Sequence, residues 1–257
     1  MAKTPAKAVD LAALRQRIRQ LERLGNTGRR VTAALPLLPQ IDALWPEGGL
    51  PLGCLHEARS DGSLAGNAGL SAFAGSIAGR LGLVLWCARR RDAHGSHLYA
   101  PGLAQAGLPA AKLLVVTAAS DAALLAAMEE GLAHPFLGCV VGEIDRLSLT
   151  TSRRLQLAAE KSSVTAIALR PSPRAAEAPV AAASRWRITT HPSAPHAIPE
   201  AGKARWRLEL LQARSGAVGD WIVEAPDAKG HLGFSAHLDD GFADARPEPH
   251  VFLRRAG

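Results

Sequence analysis

The residues best suited to chemistry lie in one stretch rich in glycine and serine, which comprises Ser60, Asp61, Gly62, Ser63, Gly66, Asn67 and Ala68. A short apolar run at 54–58 precedes it, and apolar residues recur at helical spacing between 70 and 81. A strand, a glycine-rich loop and a helix N-terminus form an anion site, because backbone N–H groups and the helix dipole converge there. The pattern therefore predicts a phosphate loop.

This loop lacks two groups that nucleotide hydrolysis needs. The signature G-x-x-x-x-G-K-[ST] requires a lysine that reaches the phosphates and a hydroxyl that holds magnesium. Here Asn67 and Ala68 follow Gly66, and the spacing from Gly62 to Gly66 is one residue short. We therefore expect no cofactor and no efficient hydrolysis. Residual binding of ATP with magnesium is the alternative.

The run that leads into the loop, residues 41–58, reads IDALWPEGGLPLGCLHEA. Followed by a decayed phosphate loop, it resembles the entry to the RecA core, and residues 10–224 resemble the ImuA family of RecA-like proteins. The resemblance implies an α/β P-loop NTPase fold. It would consist of a RecA-like core with a mostly parallel central sheet flanked by helices, plus an N-terminal amphipathic helix and a weakly ordered C-terminal tail.

Members of that family accompany error-prone polymerases in bacterial damage-induced (SOS) mutagenesis. The resemblance thus implies a catalytically decayed adaptor in translesion DNA synthesis that is not an enzyme. The implied partners are the Y-family-like polymerase subunit ImuB and the error-prone replicative-type polymerase, with RecA and DNA as further candidates. A residual ATPase and a damage-induced cell-division inhibitor are the alternatives.

The apolar run 136–144, FLGCVVGEI, predicts a strand that ends in carboxylates. In RecA-like proteins the corresponding strand ends in a carboxylate that holds magnesium or polarises water. By this resemblance Glu143 takes that position, with Asp145 as the alternative. Such a carboxylate is more often structural where the partner lysine and threonine are missing, so we expect no catalytic role.

Basic residues form two clusters in a chain of net charge +7. Asp10 is a good cap for a helix predicted over 11–24, whose outer row carries Arg15, Arg19 and Arg23. A second cluster (Arg89, Arg90 and Arg91) follows a strand predicted over 81–88. That position is the carboxyl edge of the sheet, where ligands of open α/β sheets bind. Both clusters favour DNA or an acidic partner; the alternatives are a solvated helix face and an exposed loop.

The same N-terminal helix has an apolar face that must be covered. In RecA-like filaments the corresponding helix packs on a neighbouring subunit, so the resemblance implies self-association through it. Packing on its own domain is the alternative.

Two Arg-Trp-Arg triplets, centred on Trp186 and Trp206, lie in predicted late strands. Tryptophan flanked by arginine suits base stacking between phosphate contacts. On a strand, however, the tryptophan and the arginines point to opposite faces, which favours a buried tryptophan.

Length and composition predict one large domain with terminal appendages. We expect an N-terminal basic helix and linker over 1–30, a RecA-like core over 31–225 and a flexible tail over 226–257. Cys54, Cys87 and Cys139 lie in apolar runs without metal-ligand spacing, which indicates buried, reduced thiols and no metal site. No signal-peptide pattern or membrane span is apparent, so we expect no membrane association and a cytoplasmic, nucleoid-associated protein.

Overall fold

The secondary structure follows the apolar runs of the sequence. The computed structural model describes residues 10–14, 16–17, 34–89, 98–171, 179–192 and 203–235. Its strands are β1 (Ala34–Leu35), β2 (Leu50–Pro51), β3 (Leu55–Ser60), β4 (Val84–Arg89), β5 (Leu113–Ala118), β6 (Cys139–Glu143), β7 (Thr165–Arg170), β8 (Ser184–His191), β9 (Arg205–Ala213), β10 (Gly219–Glu224) and β11 (Gly233–Phe234). Its helices are α1 (Pro39–Asp42), α2 (Leu64–Ala78), α3 (Ala100–Gln105), α4 (Asp121–Leu132) and α5 (Leu149–Ser162).

Within these residues, nine strands form one sheet in the order β11-β10-β9-β8-β3-β7-β6-β4-β5. Six neighbouring strands are parallel to one another: β8, β3, β7, β6, β4 and β5. The last three strands of the chain extend the sheet in antiparallel pairs. This arrangement confirms the predicted α/β fold with a mostly parallel central sheet and is consistent with a RecA-like core. The carboxyl ends of β3, β6, β7 and β8 therefore share one edge.

Helices cover the sheet on both sides, which explains why its central strands are continuous apolar runs. Helix α2 packs on β3, β6, β7 and β8, and its core residues include Leu70 and Phe73. Helices α4 and α5 pack on the opposite face, where the core includes Met128 and Leu155. The helix that follows the glycine-rich loop is thus held against the centre of the sheet.

The two Arg-Trp-Arg triplets place their tryptophans in the core, as the strand period predicts. Trp186 in β8 and Trp206 in β9 are 1% and 4% exposed. The ring centroid of Trp186 lies 5.7 Å from that of Phe73 and 5.8 Å from that of Trp45. These rings are therefore packing residues and are not available for base stacking.

Helix α2 begins earlier than the apolar spacing suggested, at Leu64 instead of about Leu70. Ser63 is its N-cap, since its Oγ accepts a hydrogen bond from the backbone N–H of Gly66 at 2.9 Å. The loop is consequently only three residues long, and Gly66 lies within the first helical turn.

The folded core extends beyond the boundary expected at residue 225. Leu232 is buried and β11 pairs with β10. The turn between them is closed by Asp227, whose carboxylate accepts hydrogen bonds from the backbone N–H groups of Lys229 and His231, both at 2.9 Å. The polar, glycine-containing sequence after residue 225 therefore did not indicate this ordered turn. Residues 236–257 lie outside the described residues.

Near the N-terminus, residues 11–14 and 16–17 are helical. Asp10 caps this helix by accepting hydrogen bonds from the backbone N–H groups of Ala12 and Ala13. Leu14 is 6% exposed and belongs to the core cluster on the α4 and α5 side of the sheet. This part of the helix accordingly packs on its own domain.

All three cysteines are buried and none forms a disulfide, as expected. Within the described residues, no helix has both the length and the apolar character needed to cross a bilayer.

Candidate functional site

A buried hydrogen-bond chain fixes the turn that leads into the loop. Trp186 Nε1 donates to Ser184 Oγ at 2.7 Å, and this hydroxyl lies 2.7 Å from His56 Nδ1. His56 Nε2 lies 2.9 Å from the carbonyl oxygen of Pro51, which can only accept, so Nε2 carries the proton. Burial lowers the pKa of His56 to about 4, and the ring is neutral near pH 7. These hydrogen bonds connect β8, β3 and the turn at 48–53.

The loop that follows β3 uses its own side chains to satisfy its backbone N–H groups. Asp61 Oδ1 accepts hydrogen bonds from Ser63 N at 2.9 Å and from Ser63 Oγ at 2.7 Å. Gly62 N donates to Ser60 Oγ at 3.1 Å, and Gly66 N donates to the Ser63 hydroxyl. Three donors that a phosphate loop would direct at its ligand are therefore engaged within the loop.

The Asp61 carboxylate is itself an anion at the N-terminus of α2. It lies so close to the helix that a Cβ at position 66 would overlap with its Oδ1. The hydrogen bonds from Ser63 hold the pKa of Asp61 below its ordinary value, so the group is ionised at neutral pH. The favourable position for a ligand anion at this helix end is thus next to a fixed negative charge.

Asn67 stands where a phosphate loop carries its lysine, and it is held by the loop as well. Ser60 Oγ donates to Asn67 Oδ1 at 2.5 Å. Ala68 is exposed and has no hydroxyl to offer a metal ion. The structure therefore gathers all seven predicted loop residues around the first turn of α2, in an arrangement that does not fit magnesium triphosphate.

The two carboxylates predicted at the end of β6 have separate surroundings. Glu143 Oε1 accepts a hydrogen bond from Trp86 Nε1 at 3.1 Å. Asp145 Oδ2 lies 2.9 Å from Arg89 Nη1, which also pairs with Asp121. Arg89 thus joins β4 to the loop after β6 and to the start of α4. Among the described residues, no group of three or more His, Cys, Asp or Glu side chains is placed to hold a metal ion.

The other predicted contacts to DNA or partners, Arg90 and Arg91 together with Arg15, Arg19 and Arg23, lie outside the described residues.

An apolar groove of about 860 Å³ lies along α2 at the carboxyl edge of the sheet. One wall is a stripe of small side chains, Ala65, Ala68 and Ala72, whose spacing places them on one face of α2. Leu103 from α3 and Trp206 from β9 also line the groove. Its volume and apolar lining are typical of binding sites.

The rim of this groove carries the most exposed large apolar side chains of the described residues. Leu64 is 91% exposed and Tyr99 is 69% exposed, and both line the groove. Glu143 and Arg205 add one negative and one positive charge to the lining. Exposed apolar groups that share one concave surface mark an interaction site more often than isolated ones do. Position and exposed apolar surface therefore make the groove a candidate binding surface.

Sequence reasoning missed a buried ionic cluster on the opposite face of the sheet. Glu57 in β3 is 1% exposed and accepts hydrogen bonds from Arg170 Nη1 at 2.7 Å and from Arg185 Nε at 2.6 Å. The available signal was a glutamate within the apolar run 54–58, because a buried carboxylate requires a partner. The partners, 113 and 128 residues further along the chain, follow only from the strand order.

The chain is similar to Protein ImuA of Caulobacter vibrioides, in strains NA1000 / CB15N and ATCC 19089 / CIP 103742 / CB 15. In each case the two sequences are 39% identical, and the similarity covers 75% of this chain and 83% of the relative. No protein-family model matches the chain.

Proposed function

The chain belongs to the ImuA family, and we propose that it acts as a RecA-like adaptor that does not hydrolyse nucleotides and that serves error-prone DNA synthesis after DNA damage. The observation that carries this proposal is the loop closed by Asp61. Its carboxylate and the hydroxyls of Ser60 and Ser63 take up the backbone donors that would bind phosphate.

Electrostatics support the same conclusion. A triphosphate brought to this loop would meet the negative charge of Asp61 without a lysine to offset it, and like charges at close range raise the free energy of binding. At the other end of the expected site, Glu143 is hydrogen-bonded to Trp86 and Asp145 is paired with Arg89. The proposed role is therefore one of binding proteins rather than of transferring phosphate.

The apolar groove along α2 supplies a surface for that role. It lies at the edge where open α/β sheets bind their ligands, and its small-residue wall allows another backbone to approach closely. We assign it to a polymerase subunit of the ImuB type, the partner that family membership suggests. The error-prone replicative-type polymerase and RecA would join the same assembly, and the role requires a cytoplasmic protein with access to the chromosome.

The first test is calorimetry of the purified full-length protein with ATP and magnesium. We expect no detectable heat. A dissociation constant below roughly 100 μM, about −5.5 kcal/mol, would contradict the proposal because the loop would then be a working nucleotide site.

The second test compares two substitutions with the same change in charge. Ala68→Arg places a guanidinium in the groove, whereas Leu157→Arg places one on the exposed face of α5, on the other side of the sheet. We expect Ala68→Arg to weaken binding of the purified ImuB-type subunit at least tenfold, about 1.4 kcal/mol, and Leu157→Arg to leave it unchanged. Equal affinity of both variants for the subunit would exclude the groove as its docking surface.

A further inference from the structure

The groove along α2 carries two charged side chains, and neither has an ionic partner in the described part of the chain. Glu143, at the end of β6, is half-buried and accepts a hydrogen bond from the neutral Nε1 of Trp86. Arg205, at the start of β9, is half-buried as well, and its cross-strand neighbour Glu224 is paired with Lys203. Because a charge withdrawn from water is costly unless it is compensated, a ligand of this groove should carry charges of both signs.

The two charges lie far apart, and the surface between them is apolar. The strands β9, β8, β3, β7 and β6 are consecutive in the sheet, and four spacings of about 4.8 Å place Arg205 and Glu143 about 19 Å apart across it. The small-residue wall of α2 lines the same groove, and Leu64 and Tyr99 are exposed at its rim. The groove therefore matches an elongated ligand that joins apolar side chains to an acidic part and a basic part.

Residues 236–257 of the same chain contain these groups in one order. Asp239 and Asp240 come first, and the apolar run Val-Phe-Leu at 251–253 comes later, directly before Arg254 and Arg255. A segment of this composition is complementary in charge to Arg205 at its acidic part and to Glu143 at its basic part.

The position from which the segment starts agrees with this order. The described residues end at Ser235, directly after β11, which pairs with β10 beside β9. The segment therefore begins on the Arg205 side of the groove, where its acidic residues come first. Arg254 follows Asp240 by 14 residues, which span up to about 46 Å when extended, so the length is sufficient to reach both charges of the groove.

We propose that residues 239–255 bind in the α2 groove of their own chain. The run 251–253 packs on the small-residue wall, Arg254 or Arg255 pairs with Glu143, and the acidic residues lie near Arg205. Burial of the three apolar side chains removes exposed apolar surface from water. The covalent connection at Ser235 makes the contact intramolecular, which raises the effective concentration of the segment at the groove.

This contact regulates docking, a consequence that rests on the proposed function of the groove. A polymerase subunit that binds the groove must first displace the segment. If the segment fills the groove about nine-tenths of the time, the dissociation constant of the subunit rises about tenfold. The chain thus limits access to its own docking surface.

Photo-crosslinking of the full-length protein tests the contact directly. Tyr99→p-benzoylphenylalanine places the crosslinker at the rim of the groove, and the matched control, Leu157→p-benzoylphenylalanine, places it on α5 at a similarly exposed position on the other side of the sheet. After irradiation of the dilute protein, mass spectrometry of proteolytic fragments identifies the linked residues. We expect a link within one chain from position 99 to the fragment that contains 251–253, and no such link from position 157. The absence of the link from position 99 overturns the proposal, and so does a link found only between two chains, which would assign the groove to a second copy.

Substitutions in the segment test which of its groups bind. Phe252→Asp with Leu253→Asp should lower the yield of the link at least fivefold, or about 1 kcal/mol. Ala243→Asp with Ala245→Asp adds the same charge outside the apolar run and should lower it less than about twofold. Equal yields of the two double variants would exclude the run 251–253 as the anchor.

A double-mutant cycle tests the ion pair. Glu143→Gln removes the charge and keeps an acceptor for Trp86, and Arg254→Gln with Arg255→Gln removes the cations. Each change should lower the yield of the link, and the arginine substitutions should have no further effect beside Glu143→Gln, because interacting residues are not additive. Additive effects would show that these arginines do not pair with Glu143.

Binding of the purified ImuB-type subunit separates this inference from the proposed function. We expect Phe252→Asp with Leu253→Asp to bind the subunit about tenfold more tightly than the unsubstituted protein, as release of the groove requires. An intramolecular link with unchanged affinity for the subunit would uphold the contact and overturn its regulatory role. No link, together with weaker binding of the subunit to Ala68→Arg, would overturn the inference and leave the proposed docking function intact.

Discussion

Asp61 and Ser63 form a closed pair at the N-terminus of α2, in which Asp61 Oδ1 accepts hydrogen bonds from both the backbone N–H and the hydroxyl of Ser63. The same hydroxyl accepts the N–H of Gly66 and so begins the helix. One side chain thus caps the helix and fixes the carboxylate that occupies its anion position. The loop therefore begins the helix and at the same time places a carboxylate where an anionic ligand would bind.

Removing this cap should destabilise the protein. Ser63→Ala deletes the acceptor for Gly66 N and one donor to Asp61, and we expect the free energy of unfolding to fall by about 1 kcal/mol, as for other N-cap losses. Urea denaturation at pH 7 measures it. Ser71→Ala, in the middle of α2, serves as the control and should change stability by less than about 0.5 kcal/mol. Equal effects of the two substitutions would show that Ser63 is not the cap.

The sequence predicts the parts of the site that depend on local pattern. The strand, loop and helix follow from apolar periodicity and glycine content, and the loss of the phosphate-loop lysine is visible at Asn67. The role of Asp61 could not be predicted, because an aspartate in a polar loop is typical of any turn. The sequence does not place the start of α2 because both Ser60 and Ser63 precede it, and only the hydrogen bond to Gly66 identifies Ser63 as the cap.

Features that depend on strand order could not be predicted from the sequence. Arg59 is a direct neighbour of Arg170 and Arg187 only because β3 lies between β7 and β8. The groove likewise combines α2 with Trp206, which lies more than a hundred residues further along the chain. Long-range pairing of this kind leaves no trace in local periodicity.

The cysteines should be unreactive in the folded protein. Burial raises the pKa of the Cys54 thiol to about 12 and that of Cys87 as well, and Cys139 is fully buried. Because the thiolate is the reactive species, we expect a thiol reagent such as DTNB to label none of them within minutes at pH 8 and all three in guanidinium chloride. Rapid labelling of one native thiol would show that the segment around it is accessible.

His56 should lower the free energy of unfolding as the pH falls below about 6.5. Its folded pKa of about 4 lies below the ordinary value of 6.5 because burial disfavours the charged ring. The unfolded state then binds more protons between these values, so this contribution is complete above pH 6.5 and is lost as the pH falls towards 4. At pH 5 the loss should be about 2 kcal/mol relative to pH 7.5.

Urea denaturation at pH 7.5 and pH 5 tests this dependence. His56→Gln cannot titrate and should show about 2 kcal/mol less difference between the two pH values than the unsubstituted protein. His231→Gln, at an exposed position next to Asp227, should keep the full difference. The explanation fails if His56→Gln retains the pH dependence of the unsubstituted protein.

Glu57 should be the most important single charge for stability. Glu57→Gln keeps the size of the side chain but leaves the buried Arg170 and the largely buried Arg185 without their shared carboxylate, and breaking a buried pair typically costs about 3 to 5 kcal/mol. Glu209→Gln, which affects the more exposed contact to Arg187, should cost less than about 1 kcal/mol. Urea denaturation at pH 7 in phosphate-free buffer compares the two. A loss below about 1 kcal/mol for Glu57→Gln would show that the cluster does not depend on this carboxylate, because an uncompensated buried charge cannot be that inexpensive.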